Sequence, residues 1–103
     1  MNNIPFAYSI HPGDTLLTEF MQPMGLTAYR LAKDLHVSLP RVNDLVRGKG
    51  SITADTALRL AIYFGNSAEF WLGLQTDHDI WIAATNKSQL KTLRKVKPRP
   101  IAA

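Results

Sequence analysis

Asp14, Thr27, Ser38, Thr53 and Ser67 each precede a stretch whose apolar residues recur at helical spacing, and Gly25, Gly48 and Gly65 follow three of these stretches. A side-chain oxygen in such a place accepts from an N–H that the first helical turn leaves unpaired, and glycine ends a helix by adopting a left-handed backbone. No run alternates apolar and polar residues long enough to argue for a sheet. The chain is therefore predicted to be all-α, with five helices. The first, capped by Asp14, carries Leu16, Leu17, Phe20 and Met21 on one face and ends at Pro23 and Gly25. The second runs from Thr27 through Leu35, with Tyr29, Leu31, Ala32 and Leu35 as its apolar positions, and a tight turn follows at His36 and Val37.

Ser38 caps the third helix, and Pro40 sits in its first turn, where a missing N–H costs nothing. The fourth, Ala54 to Phe64, bears Ala57, Leu58, Leu60, Ala61 and Phe64 as an apolar stripe. The fifth runs from Ser67 to about Asn86, with Phe70, Trp71, Leu74, His78 and Trp81 at helical spacing. At 1.5 Å per residue it is roughly 30 Å long, more than one face of so small a domain covers.

The 103 residues suffice for one domain and not for two that each bury a core. Its expected parts are an extended lead-in (1–10), a folded domain (11–86) and a basic, flexible tail (87–103) ending in Lys97-Pro98-Arg99-Pro100. The net charge of +4 resolves along these parts. Residues 1–86 hold six Lys/Arg against eight Asp/Glu, whereas residues 87–103 hold six Lys/Arg and no acid. Within the folded part, residues 27–50 concentrate five of the basic residues against Asp34 and Asp44 alone. The tail admits a solvated end, an arm adding phosphate contacts, or a segment that folds on a protein partner.

The absence of cysteine excludes disulfides, thiolate zinc sites and a cysteine nucleophile, and fits a reducing cytoplasm. No segment approaches the roughly 20 apolar residues of a membrane helix, and no basic stretch followed by an apolar run opens the chain. A cytoplasmic protein without membrane association is expected.

Residues 27–47 carry the functional signal. Two short helices with about a four-residue turn form a rigid angle when small and apolar residues fill the crease. Ala32 supplies the crossing, Val37 the corner, and Val42 and Leu45 face Leu31 and Leu35. That leaves Ser38, Leu39, Pro40, Arg41, Asn43, Asp44 and Arg47 nearer solvent, on a helix whose N-terminal end suits a DNA major groove. Arginine pairs with guanine and asparagine with adenine, so Arg41 and Asn43 are assigned to base reading. Thr27, Ser38, Arg47 and Lys49 are assigned to phosphates, and Leu39 and Pro40 to a thymine methyl. Asp44 admits two roles, accepting from a cytosine amino group or pairing with Arg41 or Arg47. A plain helical hairpin with a solvated face is the competing reading.

The residues resemble HigA-type antitoxins, within the phage-repressor-like (Cro/cI, XRE) helix-turn-helix superfamily, over about residues 8–86. The marks are His11-Pro12-Gly13 with Leu16, Leu31-Ala32, Val37, Leu45-Val46-Arg47-Gly48-Lys49, Thr53-Ala54-Asp55-Thr56-Ala57-Leu58-Arg59-Leu60, and above all Asn66-Ser67-Ala68-Glu69-Phe70-Trp71-Leu72-Gly73-Leu74-Gln75. The resemblance implies a five-helix lambda-repressor-like domain that dimerises and binds an operator in its own promoter. It also implies neutralisation of a small, ribosome-dependent, mRNA-cleaving toxin of the HigB type. Ala28 and Leu39 stand where many members of the superfamily have glutamine, and His36 where many have glycine. The operator sequence therefore does not transfer, although the mode of binding does.

A homodimer is also expected on physical grounds, because two copies double a modest interface and set half-sites about one turn apart. Phe70 and Leu74 are assigned chiefly to the core, and Trp71, Ile80, Trp81 and Ile82 to a seam between copies. No enzyme is expected and no cofactor: three scattered histidines and a short acidic cluster have no catalytic spacing. His78 between Asp77 and Asp79 lacks the i, i+4 partner of a metal pair, so no metal site is assigned, and His11 and His36 are assigned to capping or packing. The alternatives are a stand-alone repressor without a toxin and a module that mainly binds protein.

Overall fold

The computed structural model describes residues 10–101, which form helices joined by short turns and contain no strand. Most of the expected lead-in lies outside the described residues. The first helix, α1 (Pro12–Thr15), starts three residues earlier than expected, because the cap is His11 and not Asp14. The His11 Nδ1 accepts from the Gly13 N–H at 2.9 Å and Pro12 occupies the first turn. α1 continues directly into a π-helical stretch, Leu16–Met21, closed by the Gln22 N–H donating to the Leu17 carbonyl at 2.9 Å. A bond between residues five apart brings such residues to one face. Leu16 and Met21 are accordingly both buried.

α2 (Ala28–Leu35), α3 (Leu39–Val46), α4 (Ala54–Phe64) and α5 (Ala68–Thr85) follow the sequence closely. Their caps are Thr27, Ser38, Thr53 and Ser67, each accepting from the N–H three residues on. Leu16, Met21, Leu31, Ala32, Leu35, Val42, Leu45, Ile52, Ala57, Leu60 and Trp71 make one core. α2 packs on α3, α4 on α5, and the start of α1 lies against α3. Three apolar residues face out instead of in: Tyr29 is 63% exposed, and Leu58 and Phe70 are also exposed. On α5, which is apolar around much of its surface, spacing alone does not select the buried face.

α2 ends on a left-handed residue that is not glycine, His36 at φ 59° and ψ 44°. This conformation crowds a Cβ against the backbone by roughly 1–2 kcal/mol, which glycine avoids at some entropic cost. The imidazole is exposed, so its removal leaves no cavity. His36→Gly is expected to raise the stability by about 0.5–1 kcal/mol, read as a higher urea midpoint at unchanged m-value.

Beyond α5 the expected flexible tail contains a further short helix, α6 (Lys87–Leu93). Asn86 serves both neighbours: its N–H donates to the Ile82 carbonyl, and its Oδ1 accepts from the Gln89 N–H at 3.0 Å. α6 packs only lightly on α5 and buries no residue fully. The Cα radius of gyration is 17.0 Å. A compact chain of this length measures about 13 Å, so an appreciable part of the molecule reaches beyond the core.

Candidate nucleic-acid interface

The two helices of the motif, α2 and α3, are held at their crossing by Leu31, Ala32, Leu35, Val42 and Leu45, all buried. This fixes which side of α3 faces outward. Ser38, Leu39, Pro40, Asp44 and Arg47 are exposed, as are Thr27 before α2 and Lys49 after α3, whereas Arg41 and Asn43 are half-buried. The nine predicted contact residues therefore lie along one motif, seven of them on or capping α3. The cap hydroxyls of Thr27 and Ser38 accept backbone N–H bonds, which leaves each hydroxyl hydrogen free to donate.

The structure places Arg41 differently from the sequence reading. Its Nη2 donates to Asp55 Oδ2 at 2.9 Å and to Thr56 Oγ1, both at the start of α4. Asp44 pairs with neither Arg41 nor Arg47, and its backbone carbonyl accepts from the Lys49 and Gly50 N–H groups instead. Among the described residues neither Arg47 nor Lys49 has an ion-pair partner.

Asp55 also receives Arg59 Nε at 3.0 Å, while Arg59 Nη1 donates to the Leu35 carbonyl at 2.8 Å. Arg59 thus ties the turn between α2 and α3 to α4. Hydrogen bonds from Arg59 and then Arg41 hold the Asp55 carboxyl below its ordinary range, so it is ionised near neutral pH. The Asp55–Arg59 pair has the i, i+4 spacing legible in sequence, but the link to Arg41 joins separate helices and has no local signature.

The loop after α3 is secured from two sides. His11 Nε2 donates to the Gly50 carbonyl at 2.8 Å, and Gln75 Oε1 accepts from the Ile52 N–H at 2.7 Å. Gln75, buried on α5, donates in turn to Asp79 Oδ1 at 2.9 Å. His11 also meets His78 edge-on, with ring centroids 4.9 Å apart. Burial, assisted by His11, lowers the His78 pKa, and Asp79 opposes this. Among the described residues no three side chains group as metal ligands, and no helix is long and apolar enough to cross a membrane.

Of the residues assigned to a seam, Trp71 is corrected. It is fully buried, its Nε1 donates to Asn66 Oδ1 at 2.8 Å, and the Phe20 and Phe70 rings lie 4.9 and 5.0 Å away. It is a core residue of the domain, and the neighbouring Phe70 takes the exposed place, at 40%. Ile80 and Ile82 are 60% and 47% exposed on the second half of α5, with Trp81 half-buried between them.

Two helices crossed over a small residue, with the second turned outward behind a free N-terminal cap, define a helix-turn-helix domain. A family model described as helix-turn-helix matches residues 17–71. The chain is 49% identical to virulence-associated protein I of Dichelobacter nodosus over 85 residues, 82% of this chain and 79% of that protein. The Pseudomonas aeruginosa antitoxin HigA, solved with the higBA promoter, is similar at 39% identity and a TM-score of 0.80, over 86% of this chain and 96% of that one. Antitoxin GraA in complex with its operator is similar at 38% identity and a TM-score of 0.86, over 99% of each chain. The chain belongs to the helix-turn-helix family of XRE type, and within it to the HigA antitoxins.

Proposed function

We propose that this protein is a cytoplasmic antitoxin that binds an operator in its own promoter as a homodimer, represses transcription there, and neutralises a HigB-type mRNA-cleaving toxin by direct binding. The observation that carries the DNA part is the outward face of α3, where Arg47 and the nearby Lys49 lack ion-pair partners among the described residues. In this reading Arg41 and Asn43 meet base edges and Leu39 and Pro40 a thymine methyl, with Asp44 accepting from a cytosine amino group. Thr27, Ser38, Arg47 and Lys49 meet phosphates. The similarity to HigA and GraA, both solved with DNA, supports the same mode of binding. Ile80, Trp81 and Ile82 form the seam: exposed isoleucines on a helix projecting from the core gain by facing a second copy.

The test is fluorescence anisotropy on the duplex immediately upstream of the protein's own start codon, at several salt concentrations, beside an unrelated duplex. Specific binding near 10⁻⁸ M is expected, roughly a thousandfold or more tighter than to the unrelated duplex. Arg47→Ala is expected to weaken both duplexes alike and to lower the slope of log K against log salt by about one. Equal affinity for the two duplexes would refute operator recognition. Co-expression with a HigB-type toxin, scored by rescue of growth and co-purification, tests neutralisation independently.

A further inference from the structure

We propose that Asp55 and Thr56 are positioning residues for sequence recognition: from the start of α4 they hold the Arg41 guanidinium by Nη2 and present its free Nη1 to a guanine. This rests on the reading of α3 as the base-reading helix. Arginine has five N–H donors on three nitrogens. Only Nη2 is engaged, by Asp55 Oδ2 and Thr56 Oγ1, and the donors on Nε and Nη1 have no partner among the described residues. Nε–H and Nη1–H diverge on either side of Cδ, so the free Nη1 is the donor available to O6 or N7, the acceptors that guanine shows in the major groove.

The support behind this contact is unusually complete for a surface arginine. Asp55 is itself held by Arg59, and Arg59 is anchored to the Leu35 carbonyl at the end of α2. Thr56 is buried and accepts a further hydrogen bond from Thr53. Arg41 is therefore braced against α4, which is braced against α2, and its free donors are presented before DNA arrives. An unbraced arginine samples many rotamers and loses that freedom on binding.

The brace has a second consequence, through its charge. A carboxylate close to the interface repels phosphates wherever the protein sits on DNA, so it weakens sequence-independent binding while sharpening discrimination. Those two effects have opposite signs, and a residue that merely stabilised α4 would produce neither.

The test uses the full-length protein with Asp55→Asn, which keeps the side-chain shape and removes the charge, and with Thr56→Val, Arg41→Ala and the double variant Arg41→Ala/Asp55→Asn. Thermal unfolding confirms that each is folded. In anisotropy at fixed salt, Asp55→Asn is expected to bind the unrelated duplex about twofold more tightly, and to lose about tenfold in the ratio of operator to unrelated affinity. Thr56→Val is expected to lower the ratio by a smaller factor. In the Arg41→Ala background, Asp55→Asn should change the ratio no further.

An unchanged ratio, parallel loss on both duplexes, or the same loss with and without Arg41 would each overturn the assignment. So would an increased ratio, which would mean that Asp55 withholds Arg41 from DNA. A wild-type protein with no operator preference would remove the DNA reading and this assignment together. Retained wild-type preference with an unchanged ratio in Asp55→Asn would remove the assignment alone.

Discussion

Trp71→Ala is expected to destabilise the domain by about 3–5 kcal/mol, close to the whole stability of a small protein. The indole is fully buried against Phe20 and Phe70, with Phe64 further out at 6.0 Å between centroids. Its removal leaves a cavity that these rings cannot close without giving up their own contacts, and it strands the Asn66 acceptor. Urea titration followed by far-UV circular dichroism measures the loss. Phe70→Ala, one residue away but 40% exposed, is expected to lose less than half as much. If the two losses were reversed, the assignment of Trp71 to the core and Phe70 to the surface would be wrong.

Gly13→Ala is expected to cost about 3 kcal/mol, a drop on the order of 15 °C in Tm. A Cβ on Gly13 would stand 1.6 Å from the Leu45 carbonyl oxygen, and that oxygen belongs to the backbone of α3 and cannot swing aside. α1 must therefore move away from α3, and His11 with it, breaking the bond from His11 Nε2 to the Gly50 carbonyl. Operator affinity should fall together with stability, even at temperatures where the variant is fully folded. An unchanged Tm would show that α1 separates from α3 at no cost, against the close packing found here.

How well the structure could be read from sequence depended on whether the information was local. Thr27, Ser38, Thr53 and Ser67 cap the helices they were expected to cap, because a hydroxyl three residues before an N–H suffices. Local sequence points to Asp14 as the first cap and to His11 only for capping or packing in general, because an imidazole acceptor lies outside the usual capping residues. Asn86 was read as the end of α5 and proved also to begin α6, its short side chain satisfying a new helix where the apolar pattern is weak. The exchange of roles between Trp71 and Phe70 reflects a helix apolar on several sides, whose buried face is chosen by the rings packed against it and not by its own period. In the DNA-facing motif, the outward placement of Leu39, Pro40, Asp44 and Arg47 was legible from the period of α3. The engagement of Arg41 by Asp55 and Thr56, 14 and 15 residues further on, was not.

The division of labour along α3 bears on how such a protein diverges. Val42 and Leu45 anchor the helix from within, whereas Leu39, Pro40, Asp44 and Arg47 lie outside the core. Apart from Ser38, which caps the helix, and Arg41, which is tied to α4, the side chains that maintain the fold and those available to the groove are different residues. Substitutions on the outer side are thus close to neutral for folding, and lineages are free to drift from one binding sequence to another without passing through unfolded intermediates.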